Sequence, residues 1–206
     1  MARRSDHSRE QLYNLALGAA ERIVETGGLR ALTARNVADA IGYSPGTLYN
    51  VFENLDDLIL QLNAHTLEML FDALKACPVT GQPDADIDAL LEAYLRFLPN
   101  HPGLWSALFD YVRPVGADSL PDWYQIKIER VLGLLETAIS PLFGAGRGAP
   151  VAHAARVLWA GLHGIHSLDV SGKLGVVGED NFRDMAKTLT RTFLRGLRDG
   201  ERQAGP

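Results

Sequence analysis

TARNVADAIGYSPGTLYNVF, residues 33–52, reads as two short helices joined by a tight turn. Thr33 has the side chain to cap the first helix. Val37, Ala38 and Ile41 recur at the spacing that places them on one buried face. Gly42 then breaks the helix. Ser44 followed by Pro45 is a start signal, because the hydroxyl can accept from an orphan backbone N–H and proline loses nothing at the first helical position. A new helix is therefore expected from residue 45, with Leu48, Val51 and Phe52 on its buried face. Its opposite face then carries Gly46 and Asn50, flanked by Thr47 and Tyr49. A face this small and polar suits a helix lying in a DNA major groove. Glycine admits the backbone closely, an amide or hydroxyl can read a base edge, and a phenol can reach phosphate.

Upstream, Ser8 and Gln11 have the spacing of a capping box, and Leu12, Leu15, Ala16, Ala19 and Ile23 form an apolar stripe that ends at Gly27-Gly28. A helix over residues 8–26 is expected to pack across the pair, with Leu29 and Leu32 filling the same small core, so that residues 8–52 form a three-helix unit. Downstream, Asn54 starts a helix with Asp56 and Asp57 in its first turn, where the positive end of the helix dipole favours them. Leu58, Ile59, Leu62, Leu67, Leu70, Phe71 and Leu74 carry it to Cys77. At about 35 Å it is long enough to enter a second domain and link the two mechanically.

The 206 residues carry a net charge of −5, so contact with nucleic acid must come from a local patch. Residues 1–50 hold six arginines against five acidic residues, a net +1. Arg3 and Arg4 lie in a terminal arm and Arg35 early in the first helix of the pair, positions suited to phosphate or minor-groove contact. The single cysteine, Cys77, excludes an internal disulfide framework and fits a reducing compartment. No apolar run approaches the roughly 18 residues of a membrane span, and the polar start MARRSDHSREQ lacks a secretory core, so a cytoplasmic protein without membrane contact is expected.

Residues 8 to about 62 resemble the DNA-binding domain of the tetracycline-repressor (TetR) family. The matching residues are Leu32-Thr33, Val37-Ala38, the run Gly42-Tyr43-Ser44-Pro45-Gly46-Thr47-Leu48-Tyr49, then Phe52 and Asp57-Leu58. The resemblance implies that Thr33, Thr47 and Tyr49 meet phosphates, and that Tyr43, Ser44, Pro45 and Asn50 lie where bases or their sugars are met. The chain departs from the family where a lysine usually begins the fourth helix, since it has Leu55 there. It departs again after Tyr49, with Asn50 and Val51 in place of an aromatic residue and a histidine.

Beyond residue 80 the pattern stays helical. Ile87, Leu90, Leu91, Tyr94, Leu95 and Leu98 mark a helix stopping at Pro99. Leu104, Trp105, Leu108, Phe109 and Val112 mark one between Pro102 and Pro114. Pro121 opens a longer helix that Pro141 bends or ends. FGAGRGAP, residues 143–150, is a loop and not a phosphate cradle, having no strand before it and no Lys-Ser/Thr ending. Helices over about 150–170 and 179–198 complete an all-α chain, the second bearing Phe182, Met185, Leu189, Phe193, Leu194 and Leu197. Apolar faces on two long helices suit a homodimer formed as a four-helix bundle about a two-fold axis. Ala160, Gly161 and Gly164 allow another helix to approach closely. Trp159, His163 and Gly164 are similar to the Trp-x-x-x-His-Gly signature of one TetR subgroup, as is His101-Pro102 ahead of Trp105 and Phe109.

His163, His166 and Asp169 have a spacing that could align three metal ligands on one helix, yet a buried His163 and a solvated Asp169 explain the same residues, and neither metal nor cofactor is expected. No nucleophile–base arrangement is recognisable, so no catalytic residue is assigned. A regulated helical domain needs a cavity. Trp105, Phe109, Tyr111, Trp123, Tyr124, Trp159 and His163 are the residues expected to line it. The expectation is a homodimeric regulator binding double-stranded operator DNA and released by a small-molecule effector, with residues 1–57 as the DNA-binding domain and 58–206 as the effector and dimerisation domain. Two rivals stand beside it: a regulator governed by a protein partner or by nothing, and a metalloenzyme using His163 and His166.

Overall fold

The structure, a computed structural model, describes residues 7–111, 120–143, 148–179 and 181–203. Its elements are α1 (Arg9–Gly27), α2 (Ala34–Ile41), α3 (Pro45–Leu48), α4 (Leu55–Lys75), α5 (Pro83–Asn100), α6 (Pro102–Asp110), α7 (Asp122–Ile139), α8 (Gly148–Val170), α9 (Leu174–Val177) and α10 (Phe182–Gln203). Single tight turns follow α1 at Leu29–Ala31 and α7 at Ser140–Leu142. No strand occurs among the described residues, and no described helix is long and apolar enough to cross a membrane.

Local chemistry accounts for most boundaries. Ser8 Oγ accepts from Gln11 N (3.1 Å) while Gln11 Oε1 accepts from Ser8 N (2.8 Å), which satisfies two orphan donors of α1. Asn54 Oδ1 accepts from Asp57 N (2.8 Å) ahead of α4. Pro99 falls inside the last turn of α5, which runs one residue further than expected, to Asn100. α6 ends at Asp110; Val112 and Pro114, expected to finish that segment, lie outside the described residues, as do residues 144–147 of the expected 143–150 loop, whose last three residues, Gly148, Ala149 and Pro150, instead open α8. The short helix α9 had no periodic signal.

The chain forms two compact units, Met1–Met69 with Leu98–Lys127, and Leu70–Phe97 with Ile128–Pro206. The first is built on α1, α2, α3, the start of α4 and α6. Its core includes Ala16, Ala20, Val24, Val37, Leu48, Phe52, Leu62 and Leu104. α6 docks on α1 by an unusually close approach. A Cβ at Gly103 would stand 2.4 Å from the Val24 carbonyl oxygen and 2.7 Å from Glu25 Cα. Gly103 N donates to Glu25 Oε2 (2.9 Å), so a carboxylate from the last turn of α1 caps the start of α6. His101 Nδ1 lies 3.8 Å from the other oxygen of Glu25.

In the second unit α8 and α10 pack together. A Cβ at Gly161 would stand 2.8 Å from Leu189 Cδ2, so this glycine admits a helix of the same chain. Phe182, Met185, Leu189, Phe193 and Leu197 are half-buried and Leu194 is 1% exposed. The apolar side of α10 is thus only partly covered within its own unit, and its outward side carries Thr188, Thr192 and Gly196. Glu92 on α5 receives Arg183 (2.6 Å) and Lys187 (2.7 Å) from α10, which hold its carboxyl below the usual carboxylate range.

Candidate nucleic-acid interface

The helix pair begins at Thr33, whose extended backbone and Oγ1, accepting from Asn36 N (3.1 Å), open α2. Asn36 Nδ2 turns back to the Ala31 carbonyl (2.8 Å) and fixes the entry. At the other end Gly42 has φ 75° and ψ 29°, the left-handed conformation that closes a helix at little cost only for glycine. Tyr43 N then reaches back to the Ala38 carbonyl (2.9 Å).

α3 is shorter than expected. It spans Pro45–Leu48, after which Asn50 N and Val51 N bond to Thr47 O and Leu48 O (3.2 and 3.0 Å), three residues back, so the chain tightens into a turn. Ser44 also departs from the expected cap. Its Oγ pairs with Thr47 Oγ1 (2.9 Å), and it is the Ser44 carbonyl that accepts from Thr47 N (2.9 Å). The division into faces survives this shortening because it depends on burial. Leu48 and Phe52 are each 2% exposed, while Tyr49 is 51% exposed and Ser44, Pro45, Gly46 and Asn50 are open. Thr47 and Tyr43 are half-buried.

The back of this turn is braced by α1 and α4. Phe52 stacks on Tyr13 (centroids 5.1 Å apart, 28° between planes). Tyr13 donates its hydroxyl to Gln61 Oε1 (3.0 Å), and Gln61 Nε2 donates to Asp57 Oδ1 (3.3 Å). Asp57 Oδ2 accepts from Glu53 N (3.0 Å), which fixes the chain just after the exposed face. Burial, with Asp57 and Glu68 nearby, raises the Tyr13 pKa and keeps the phenol protonated as a donor.

Around the exposed face the charge is sparse. Arg35 is open on α2, its Nε 3.9 Å from Asp39 Oδ2, so an acidic group shares the surface with the nearest described cation of the pair. Arg3 and Arg4 lie outside the described residues. Leu55, standing where the family usually has a lysine, is partly buried and packs against the core. One contact was missed from sequence: His7 Nδ1 and the Tyr43 hydroxyl lie 2.6 Å apart, joining the arm before α1 to the turn after α2. Thirty-six residues separate the two, and no local pattern signals the pairing.

The residues expected to line a cavity are dispersed. Trp105, 2% exposed, meets Phe109 edge-on (5.2 Å), Tyr111 donates to Asp56 Oδ1 (3.1 Å), and Trp123 meets Tyr124 edge-on (5.7 Å). All five belong to the first unit. A cavity in the second unit is walled by Leu70, Leu91, Tyr94, Leu135, Leu158 and Trp159 among others, so of the expected set only Trp159 lines it. His163 lies behind Trp159, stacked nearly parallel at 5.8 Å. Burial, with His166 beside it, holds His163 below the ordinary imidazole range. His166 packs on Phe182 (5.1 Å). Among the described residues no group of three His, Cys, Asp or Glu side chains is placed to hold a metal ion, and His163, His166 and Asp169 do not form one.

Comparison with known proteins agrees with this architecture at both ends of the chain. Residues 16–62 match the family described as bacterial regulatory proteins, tetR family, and residues 87–193 match the tetracyclin repressor-like C-terminal domain. The chain is 24% identical over 183 residues to YobS of Bacillus subtilis (strain 168), an uncharacterized HTH-type transcriptional regulator, covering 89% of this chain and 91% of that one. A solved protein of unknown function from Rhodococcus sp. RHA1 shares the fold with a TM-score of 0.72 at 22% identity, over 96% of this chain and 100% of the other. A TetR transcription regulator from Haloarcula marismortui shares it with a TM-score of 0.65 at 20% identity, over 89% and 98%.

Proposed function

The chain belongs to the tetracycline-repressor family of DNA-binding transcriptional regulators, which are not enzymes, and from that membership we propose a homodimeric repressor that a small molecule releases from a pseudo-palindromic operator. The observation that carries the DNA side is the face of residues 44–50: Gly46, Tyr49 and Asn50 stand open while Leu48 and Phe52 hold the turn from behind. Thr33, Thr47 and Tyr49 are assigned to phosphates. Tyr43, Ser44, Pro45 and Asn50 are assigned to bases or sugars, and Arg3, Arg4 and Arg35 to backbone charge. Two copies would engage half-sites about one helical turn, ~34–36 Å, apart. DNA contact is then assigned to residues 1–57 within the first unit, and effector binding and dimerisation to the second, Leu70–Phe97 with Ile128–Pro206, in a cytoplasmic protein.

The dimer is assigned to α8 and α10. On α8, Val157 (45% exposed), Ala160, Gly164 and Leu168 (41% exposed) recur along one outward side, and a Cβ at Gly164 would meet nothing within its own chain. Small and apolar residues at that spacing fit a second copy of the same helix. The near-parallel stacking of Trp159 on His163 supports a place in the Trp-His-Gly subgroup.

The test begins with selection of bound DNA from a random pool. Against the selected operator, Tyr49→Ala is expected to weaken binding to every sequence roughly tenfold, while Asn50→Ala relaxes preference at one base position by about 1–3 kcal/mol. If both variants bind like the parent in fluorescence anisotropy, this face does not read DNA. Asp39→Asn removes the acid beside Arg35 and is expected to tighten operator binding by about 0.5–1 kcal/mol at low salt, with the gain shrinking as salt rises. Weaker binding at low salt would place Arg35 away from the duplex.

A further inference from the structure

The second-unit cavity has a wall chemistry that selects its occupant. It is partly open, and the surface it presents is almost entirely carbon. Among the described residues no Asp, Glu, Lys, Arg or His side chain lines it. The polar-bearing residues in the wall are Tyr94, Trp159 and Thr190. Thr190 Oγ1 already donates to the Ala186 carbonyl of its own helix (2.8 Å). Burial of Tyr94 raises its pKa well above the ordinary phenol value, so it carries no charge. Of the cations on α10 near Thr190, Lys187 is held by Glu92 (2.7 Å) and Arg191 is open to solvent. His163, braced behind Trp159, is kept neutral.

We propose that this cavity receives a compact, uncharged, hydrocarbon-rich molecule and discriminates against the ionised form of the same skeleton. The inference rests on the effector reading above and gives that effector a chemical class. Water is a poor occupant, since a buried water needs two to four polar partners and a carbon wall does not supply them. An apolar guest recovers dispersion contacts with leucine, isoleucine and valine side chains from α4, α5, α7 and α8. An ionised guest would surrender its hydration with no counter-charge in the wall, a cost that exceeds what contact with carbon returns.

Naphthalene and 2-naphthoate share one skeleton and differ by a carboxylate, so they are the probes. With the full-length protein near neutral pH, ligand-observed saturation-transfer NMR and thermal denaturation are expected to report naphthalene binding at least tenfold tighter than 2-naphthoate. Leu135→Trp, which fills the space, is expected to abolish the naphthalene signal. Naphthoate binding as tightly as naphthalene, no naphthalene binding at all, or a naphthalene signal that persists in folded Leu135→Trp each overturns the proposal. The comparison on the parent protein decides the ligand class even if the tryptophan variant does not fold. Operator affinity measured in the same samples separates the two readings. Naphthalene binding with unchanged operator affinity upholds the ligand class and refutes release by a bound effector. Release by a charged compound with no naphthalene binding refutes the ligand class alone.

Discussion

Replacing Gly103 with alanine is expected to destabilise the first unit by about 2–4 kcal/mol, read as a lowered urea midpoint. The added Cβ would lie 2.4 Å from the Val24 carbonyl oxygen and 2.7 Å from Glu25 Cα, both backbone atoms that cannot swing aside. α6 must therefore lift from α1. Lifting it lengthens the bond from Gly103 N to the Glu25 carboxylate, and a partly buried carboxylate loses its donor. Glu25→Gln keeps the size and much of the geometry but weakens the charge-assisted bond, so its cost should be smaller, about 1 kcal/mol. Equal stabilities for the parent and Gly103→Ala would mean that α6 does not dock on α1 as described.

Phe52→Ala is the second change with a large expected effect, about 3–5 kcal/mol. The ring is 2% exposed and stacked on Tyr13, so its removal opens a hole behind the exposed turn and frees the chain that Asp57 anchors. Operator binding should fail along with the cooperative unfolding transition. Tyr49→Ala, three residues earlier, is expected to leave that transition within about 0.5 kcal/mol of the parent, as a surface substitution does, while still weakening operator binding. If instead Tyr49→Ala unfolded the protein and Phe52→Ala did not, the inner and outer faces of the turn would be exchanged.

What could be read from the sequence was what neighbouring residues decide. Ser8 with Gln11, Thr33 with Asn36, and the left-handed Gly42 act within a turn of themselves, and each performs as its spacing implies. The end of α3 was overextended because its start signal, Ser44-Pro45, is local while its termination is not. Phe52 is buried against Tyr13, distant in the chain, and before it Asn50 N and Val51 N bond three residues back in a tight turn. Glu25 reads as a solvated charge until α6 brings the Gly103 amide to it. The same docking places Trp105 and Phe109 in the first unit, and neither is among the described residues that line the cavity. Aromatic residues stand out in a sequence by size and rarity, yet the cavity wall is mostly leucine, and leucine has no signature that separates wall from core.

The path of the chain between its two units bears on how such a regulator can be recombined. The polypeptide passes from one unit to the other after Met69, returns after Phe97 and leaves again after Lys127. A chimera joined at residue 57, swapping operator specificity between paralogues as though the reading head were a detachable cassette, would strand α1 without the partner that caps against Glu25. Successful grafts should carry residues 98–127 with the donor head, and those segments should be inherited together.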